Sequence, residues 1–207
     1  MLKAGGYTLV ELMVTLAIVA ILGTLAAPSL QSLNTKIKLQ GVGSQFNGHL
    51  LRARSEAVNR NACTVMCLST TTSAAITSDN AGNLTAGPSC ANAGSNWQQG
   101  WIVFLKDDCT DDTATAANNR PSRPEDYIAI QTPIASDYRL DVRGSVATSR
   151  LFFTASGRPR PSTGSAVPAE FDLYYQSTNS ALTQKYGYNT CVDLFGRTRT
   201  ISWNATC

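Results

Sequence analysis

One histidine and six cysteines bound the chemistry open to this 207-residue chain. His49 is the single imidazole, so no serine–histidine–aspartate set can be argued beyond chance. No phosphate loop or dinucleotide fingerprint occurs. None of the cysteine spacings fits a zinc ribbon or finger. Disulfides in an oxidising compartment account for the cysteines better, and that reading removes the thiols from nucleophile chemistry. His49 lies beside an apolar helical stripe, where a structural role is expected. The chain reads as a non-enzyme, with no catalytic residue, no metal and no cofactor expected.

Two kinds of residue could still do something chemical. The first is a repeated pattern, Gly157-Arg158-Pro159-Arg160 and Gly196-Arg197-Thr198-Arg199. A glycine turn followed by arginines at i and i+2 puts both guanidiniums on one side of a short strand. Arginine forks suit phosphate oxygens. From Arg139 to Cys207 there are eight Lys/Arg and four Asp/Glu, so this third of the chain is locally basic. The competing reading is an ordinary pair of turns whose arginines pair with Asp172 or Asp193. The second is Glu11, a lone carboxylate at the start of a long apolar run. A carboxylate inside a membrane costs a few kcal/mol and usually has a partner or a purpose. A bland alternative places it in a first helical turn, where the helix dipole favours an anion.

The elements that must position these residues begin with a helix. No charged residue occurs from Leu12 to Thr35, and Leu12–Ala27 is dense in Leu, Val, Ile and Ala. At about 1.5 Å per residue the run can span a bilayer. An ordinary anchor, or a secretory signal cleaved near Leu25-Ala26-Ala27, accounts for the apolarity. Neither explains Glu11 or the Gly5-Gly6 pair ahead of it. Beyond the run, Leu30, Leu33, Ile37, Phe46, Leu50, Ala53 and Ala57 recur at three- and four-residue steps, with a gap near Gln40-Gly41. This predicts one amphipathic stripe on a helix ending near Arg60-Asn61. Gly41, Gly43 and Gly48 weaken that helix locally, by up to about 1 kcal/mol each.

After Asn61 the pattern changes to short runs rich in β-branched and aromatic residues. Strands are predicted at Cys63–Leu68, Gly100–Leu105, Tyr127–Ile130, Tyr138–Val142, Arg150–Phe153, Phe171–Tyr175, Cys191–Leu194 and Thr200–Trp203. Eight short strands suggest an antiparallel sandwich or curled sheet. Ser69–Gln99 and Lys106–Asp126 read as loops. The second contains "DDCTDD", whose four aspartates lack the register of a calcium loop. The composition fits this picture: 43% apolar, only 15% charged against about 25% usual, and a net charge of +3 that argues for no bulk polyanion partner.

Read together, "GGYTLVELM" and the apolar run resemble the class III leader of type IV prepilins and type II secretion pseudopilins. In that family a prepilin peptidase cuts after the glycine, here Gly6, and methylates the new N-terminal residue, here Tyr7. Tyrosine stands where phenylalanine or methionine is commoner. The resemblance implies that Glu11 meets the N-terminal amine of a neighbouring subunit, and that Pro28 softens the helix, since proline removes a helical hydrogen bond. Farther on, "RARSEAVNRNACTVMCLS", "WQQGWIVFLKDD" and "LFFTASGRPRP" resemble the GspH/FimT group of minor pilins and pseudopilins, over roughly residues 5–68 and 97–160.

That resemblance implies an α+β fold: a long N-terminal helix, transmembrane in its first half, packed on an antiparallel β-rich head. The expected segments are a leader at 1–6, a membrane or filament-core helix at 7–30, its amphipathic continuation at 31–61 and the head at 62–207. Expected partners are other pilins or pseudopilins, prepilin peptidase and the inner membrane, with a single pass and a periplasmic head. The implied role is priming or joining a type IV pilus; the alternative is a type II secretion pseudopilin. FimT-like competence pilins bind DNA through a C-terminal Gly-Arg-x-Arg stretch, so Arg197 and Arg199, helped by Arg158 and Arg160, become candidate contacts for double-stranded DNA. Trp97 and Trp101 are expected in the core.

The strand positions suggest cysteine pairs. Cys63 and Cys67 sit four apart on one strand, about 13 Å along it, too far to bond each other. Cys67 ends its strand and Cys90 precedes the next, which suggests Cys67–Cys90. If those strands form a hairpin, Cys63 approaches Cys109. Cys191 and Cys207 then remain to staple the C-terminal strands.

Overall fold

A computed structural model describes residues 6–91, 94, 96–107, 109, 119–143, 149–161, 169–177, 183, 185–203 and 205–207, with backbone alone at 25–28 and 161. The chain divides into two compact units, Met1–Lys38 and Leu39–Cys207. One helix, α1 (Leu9–Asn59), contributes to both.

In the first unit none of the described side chains of α1 is buried. Leu9, Val10, Leu12, Met13, Val14, Leu16, Ile18, Val19, Ile21 and Leu22 are each more than half exposed. Among the described residues no single helix is long and apolar enough to cross a membrane; the bent pair Leu9–Thr24 and Ser29–Asn59 meets that length and composition only when its two parts are taken together.

In the second unit the helix has one buried stripe. Leu39, Phe46, Leu50, Ala53 and Ala57 are almost fully buried, with Val42 packed beside them. The stripe therefore differs from the expectation at its start. Leu30, Leu33 and Ile37 are exposed, and Leu39 and Val42 occupy the apparent gap. A three-four step running back from Phe46 reaches Val42 and Leu39, not Ile37. The helix stops by a Schellman arrangement. Asn61 takes a left-handed conformation (φ 49°), its N–H bonds the Val58 carbonyl, and the Ala62 N–H bonds the Ala57 carbonyl at 3.1 Å.

Two antiparallel sheets follow. The first has the order β5 (Tyr127–Gln131), β4 (Trp101–Lys106), β1 (Cys63–Leu68), β7 (Arg150–Phe153), β8 (Pro159–Pro161). The second has the order β11 (Thr198–Ser202), β10 (Tyr188–Val192), β9 (Ala169–Tyr175), β6 (Tyr138–Arg143). A small hairpin of β2 (Thr77–Ser78) and β3 (Leu84–Ala86) lies within the first expected loop. All eight expected strands form. β10 starts three residues earlier than expected and ends at Val192, because Asp193 turns the chain. β2, β3 and β8 were not legible, being two- or three-residue pairings without apolar alternation.

β1 is buried on both faces. Its Met66 and Leu68 join the main core with Trp101, Val103, Leu151 and Phe153. Cys63, Val65 and Cys67 join a second cluster with Ile102, Phe104 and Phe152. The main core centres on Phe46, whose ring meets Trp97, Trp101 and Phe171 edge-on at 5.7, 5.2 and 4.8 Å. Such pairs add about 0.5–1.5 kcal/mol beyond the buried area. Trp97 and Trp101 are thus core residues, as expected. His49 accepts a hydrogen bond from the Trp101 indole through Nδ1 at 2.9 Å.

Candidate functional site

Two places carry the residues singled out from the sequence. The first is the start of α1. Tyr7 is 84% exposed, and the helix begins two residues later. Thr8 caps it: its Oγ1 accepts the Glu11 N–H at 3.3 Å. Thr8-x-x-Glu11 is the capping-box spacing, so Glu11 lies in the first turn, where the helix dipole favours its charge. This local role is separate from any contact Glu11 makes with another chain.

The second place is a pair of turns in the head. Gly157 lies in the turn between β7 and β8, and Gly196 in the turn between β10 and β11. Both have left-handed backbone, φ 73° and 75°. Each turn closes the same way. The Gly157 N–H bonds the Thr154 carbonyl at 2.7 Å, and the Gly196 N–H bonds the Asp193 carbonyl at 2.9 Å. Asp193 also shapes its own turn, since its Oδ1 accepts the backbone N–H of Phe195 and of Arg197 at 2.8 and 2.9 Å. Desolvation raises the Asp193 carboxyl, but these hydrogen bonds and the Arg197 charge outweigh it and hold the group below its usual range.

The two turns lie against each other. A Cβ on residue 196 would run into the Gly157 carbonyl oxygen, and one on residue 157 would come within 3.1 Å of Val58 and 3.2 Å of Arg54. Arg54 Nε donates to the Gly157 carbonyl at 3.2 Å. Arg54 is therefore the residue that ties the turn pair to α1. Arg54 stands one residue past the buried Ala53, and nothing in its spacing singles it out.

The four candidate arginines are only partly brought together. Arg158 and Arg197 flank one ring, that of Phe195, with guanidinium carbons 5.9 and 5.6 Å from its centre. Arg197 also pairs with Asp193 at 2.8 Å while staying largely exposed. Arg199, opposite Cys191 on β11, donates to the Cys207 carbonyl. Arg197 and Arg199 both line a cavity of about 290 Å³ with Asp193, Leu194, Phe195, Cys191 and Cys207. Arg160 departs from the expectation. On β8 it donates to the Cys109 carbonyl at 3.5 Å. Of the two alternatives for ion pairing, Asp193 is the one taken. Asp172 is bound by Arg143 at 3.1 Å.

The chain forms three disulfides, Cys63–Cys109, Cys67–Cys90 and Cys191–Cys207, with Cα separations of 5.4, 5.5 and 5.7 Å. These are the pairs expected from the strand positions, and no cysteine is free. The first two cover the outer face of the first sheet. The third holds the C-terminal segment over the second sheet. There Arg143 and Asn189 donate to the Ala205 carbonyl at 3.1 and 3.0 Å, and the Cys207 N–H bonds Glu170 at 2.7 Å. Desolvation pushes the Asp172 carboxyl up, with Arg143 opposing it. Among the described residues no three metal-ligating side chains converge. The "DDCTDD" stretch lies largely outside the described residues.

The family described as "Type II transport protein GspH" matches residues 43–194, and the "Prokaryotic N-terminal methylation motif" matches residues 1–27. Among solved structures, the type IV minor pilin FimU of Pseudomonas aeruginosa is 16% identical with a TM-score of 0.43, covering 78% of this chain and 86% of that one. The minor pseudopilin EpsH from the type 2 secretion system of Vibrio cholerae is 13% identical with a TM-score of 0.44, covering 83% of this chain and 98% of that one. No curated protein matches.

Proposed function

The chain belongs to the GspH family, carrying its head domain behind an N-terminal methylation motif, and from that premise we propose that it joins or primes a type IV pilus as a minor pilin. At the coarser level it is a membrane-anchored minor pilin or pseudopilin, a structural subunit of a type IV pilus or a type II secretion pseudopilus. The observation that carries the proposal is the first half of α1. Ten large apolar side chains from Leu9 to Leu22 are more than half exposed on a helix that a single chain leaves uncovered. Such a surface needs lipid or other helices around it.

In this reading prepilin peptidase cuts between Gly6 and Tyr7 and methylates Tyr7. The helix holds the chain in the inner membrane with the head in the periplasm, where the disulfides form. On assembly the helix exchanges lipid for neighbouring pilin helices, and Glu11 meets a neighbour's N-terminal amine. Desolvation makes that pair strong in hydrocarbon and makes its loss costly. Glu11→Ala is the test. The variant should be processed and membrane-inserted yet absent from sheared filaments. Normal incorporation would refute the role.

A DNA-binding reading is favoured by one further observation, the two Gly-Arg turns that meet at Phe195. Arg197 and Arg199, with Arg158, present guanidiniums suited to phosphate oxygens. Arg160 is a remoter helper. Full-length chain in detergent, titrated with DNA over a salt series, should show affinity that falls steeply with salt. Arg197→Gln/Arg199→Gln should abolish it. A wild-type chain that binds no DNA at low salt leaves the assembly role alone.

A further inference from the structure

Phosphate contacts do not use everything at the turn pair. Phe195 is 56% exposed and Leu194 48% exposed. They form an apolar pair at the tip of a polar hairpin turn. The Arg158 and Arg197 guanidinium carbons lie 5.9 and 5.6 Å from the ring centre, and the ring lines, with Leu194, Cys191 and Cys207, the cavity of about 290 Å³. Apolar walls, one open ring and arginines at the rim make a mixed surface. A duplex cannot fill it, because its base faces are hidden in the stack and only its phosphates reach out. An unpaired nucleotide can, offering a flat face to the ring and a phosphate to the rim.

We propose that this cavity holds one unpaired base, so that the site takes single-stranded DNA in preference to closed duplex. The base lies along Phe195 and the disulfide wall. Its phosphates reach Arg197 and Arg199. The proposal rests on the DNA-binding reading above and goes beyond it by naming the strand class and the residue that selects it. Charge argues for a polyanion over a protein surface: Arg54, Arg158, Arg197 and Arg199 surround the turns, and Asp193 is the acidic side chain lining the cavity. Stacking one base on one aromatic ring changes affinity by roughly tenfold or more.

The test uses the full-length chain in detergent. The probes are a labelled oligothymidylate and a hairpin duplex with the same number of phosphates, each titrated from about 50 to 200 mM salt. Wild type should bind the single strand roughly tenfold tighter. Phe195→Leu, which keeps the apolar volume, should bring the single-strand affinity down to the duplex affinity of the same variant. Tryptophan fluorescence checks that the variant is folded. Equal affinity for both probes, or a single-strand preference that survives Phe195→Leu, overturns the proposal and leaves the arginine reading standing. Failure of wild type to bind either probe overturns the DNA reading itself. Loss of filament incorporation by Phe195→Leu with both affinities unchanged makes the ring a subunit contact and overturns the proposal too.

Discussion

Gly43 offers a direct test of how the helix seats on the second sheet. It sits inside α1, where glycine is normally a liability of about 1 kcal/mol relative to alanine. Gly41 and Gly48 behave that way, since a Cβ on either would meet nothing within 4 Å. Gly41→Ala and Gly48→Ala should each stabilise the head by about 0.5–1 kcal/mol. A Cβ on residue 43 would instead land on the Tyr188 hydroxyl and ring. Tyr188, on β10, donates to the Leu39 carbonyl at 3.2 Å, and burial pushes its phenol up to about 12. Displacing the ring loses that hydrogen bond, about 0.5–1.5 kcal/mol, and adds overpacking of about 1–3 kcal/mol. After the gain in helix propensity, Gly43→Ala should destabilise by about 1–3 kcal/mol. Urea unfolding of the full chain in detergent reads this through tryptophan fluorescence, because Trp97, Trp101 and Trp203 all lie in the head. In a Tyr188→Ala background the sign should reverse, and Gly43→Ala should stabilise as its neighbours do. A stabilising Gly43→Ala in the wild-type background would refute the close approach.

Three other outcomes follow from the same geometry. His49 is held below its usual value by burial and then by Arg52, and it is neutral while it accepts the Trp101 bond. Above 6.5 both folded and unfolded states carry neutral imidazole. As pH falls through 6.5 the unfolded chain takes up the proton first, so stability should decline until the lowered folded value is reached, and His49→Gln should flatten that slope between about pH 7.5 and 5.5. Replacing Cys191 and Cys207 by serine opens a loop with a sequence separation of 16 and should cost about 3 kcal/mol in denaturant unfolding. Asp193→Asn keeps an oxygen for the Phe195 and Arg197 amides but removes the carboxylate charge paired with Arg197; stability should change by less than about 1 kcal/mol, while DNA affinity and its salt slope, measured by anisotropy, should both rise.

Much of the architecture was legible in the chain. The apolar run, the eight strand cores and the three cysteine pairs follow from periodicity and from what one strand can reach. The errors cluster where local pattern carries no information. β2, β3 and β8 are too short for an alternation to appear. β10 opens with Tyr188-Asn189-Thr190, which reads as polar, yet Asn189 and Thr190 are buried between neighbouring strands and the C-terminal segment. Apolar residues continue at helical spacing from Leu30 to Ile37, although the buried face begins at Leu39.

What the chain determined by itself was local: the leader with Glu11 after a capping threonine, the glycines that turn at 157 and 196, and the arginines that follow them. The meeting of those two turns was a tertiary decision. Gly157 and Gly196 stand far apart in the chain, and no spacing between them predicts contact. They touch because β7–β8 ends one sheet and β10–β11 ends the other, and because Arg54 on the helix bonds across the join. That is also why Arg158 reaches Phe195 while Arg160, two residues on, does not. The packing of the two turns, not any spacing in the chain, decided which of the four arginines share a ring.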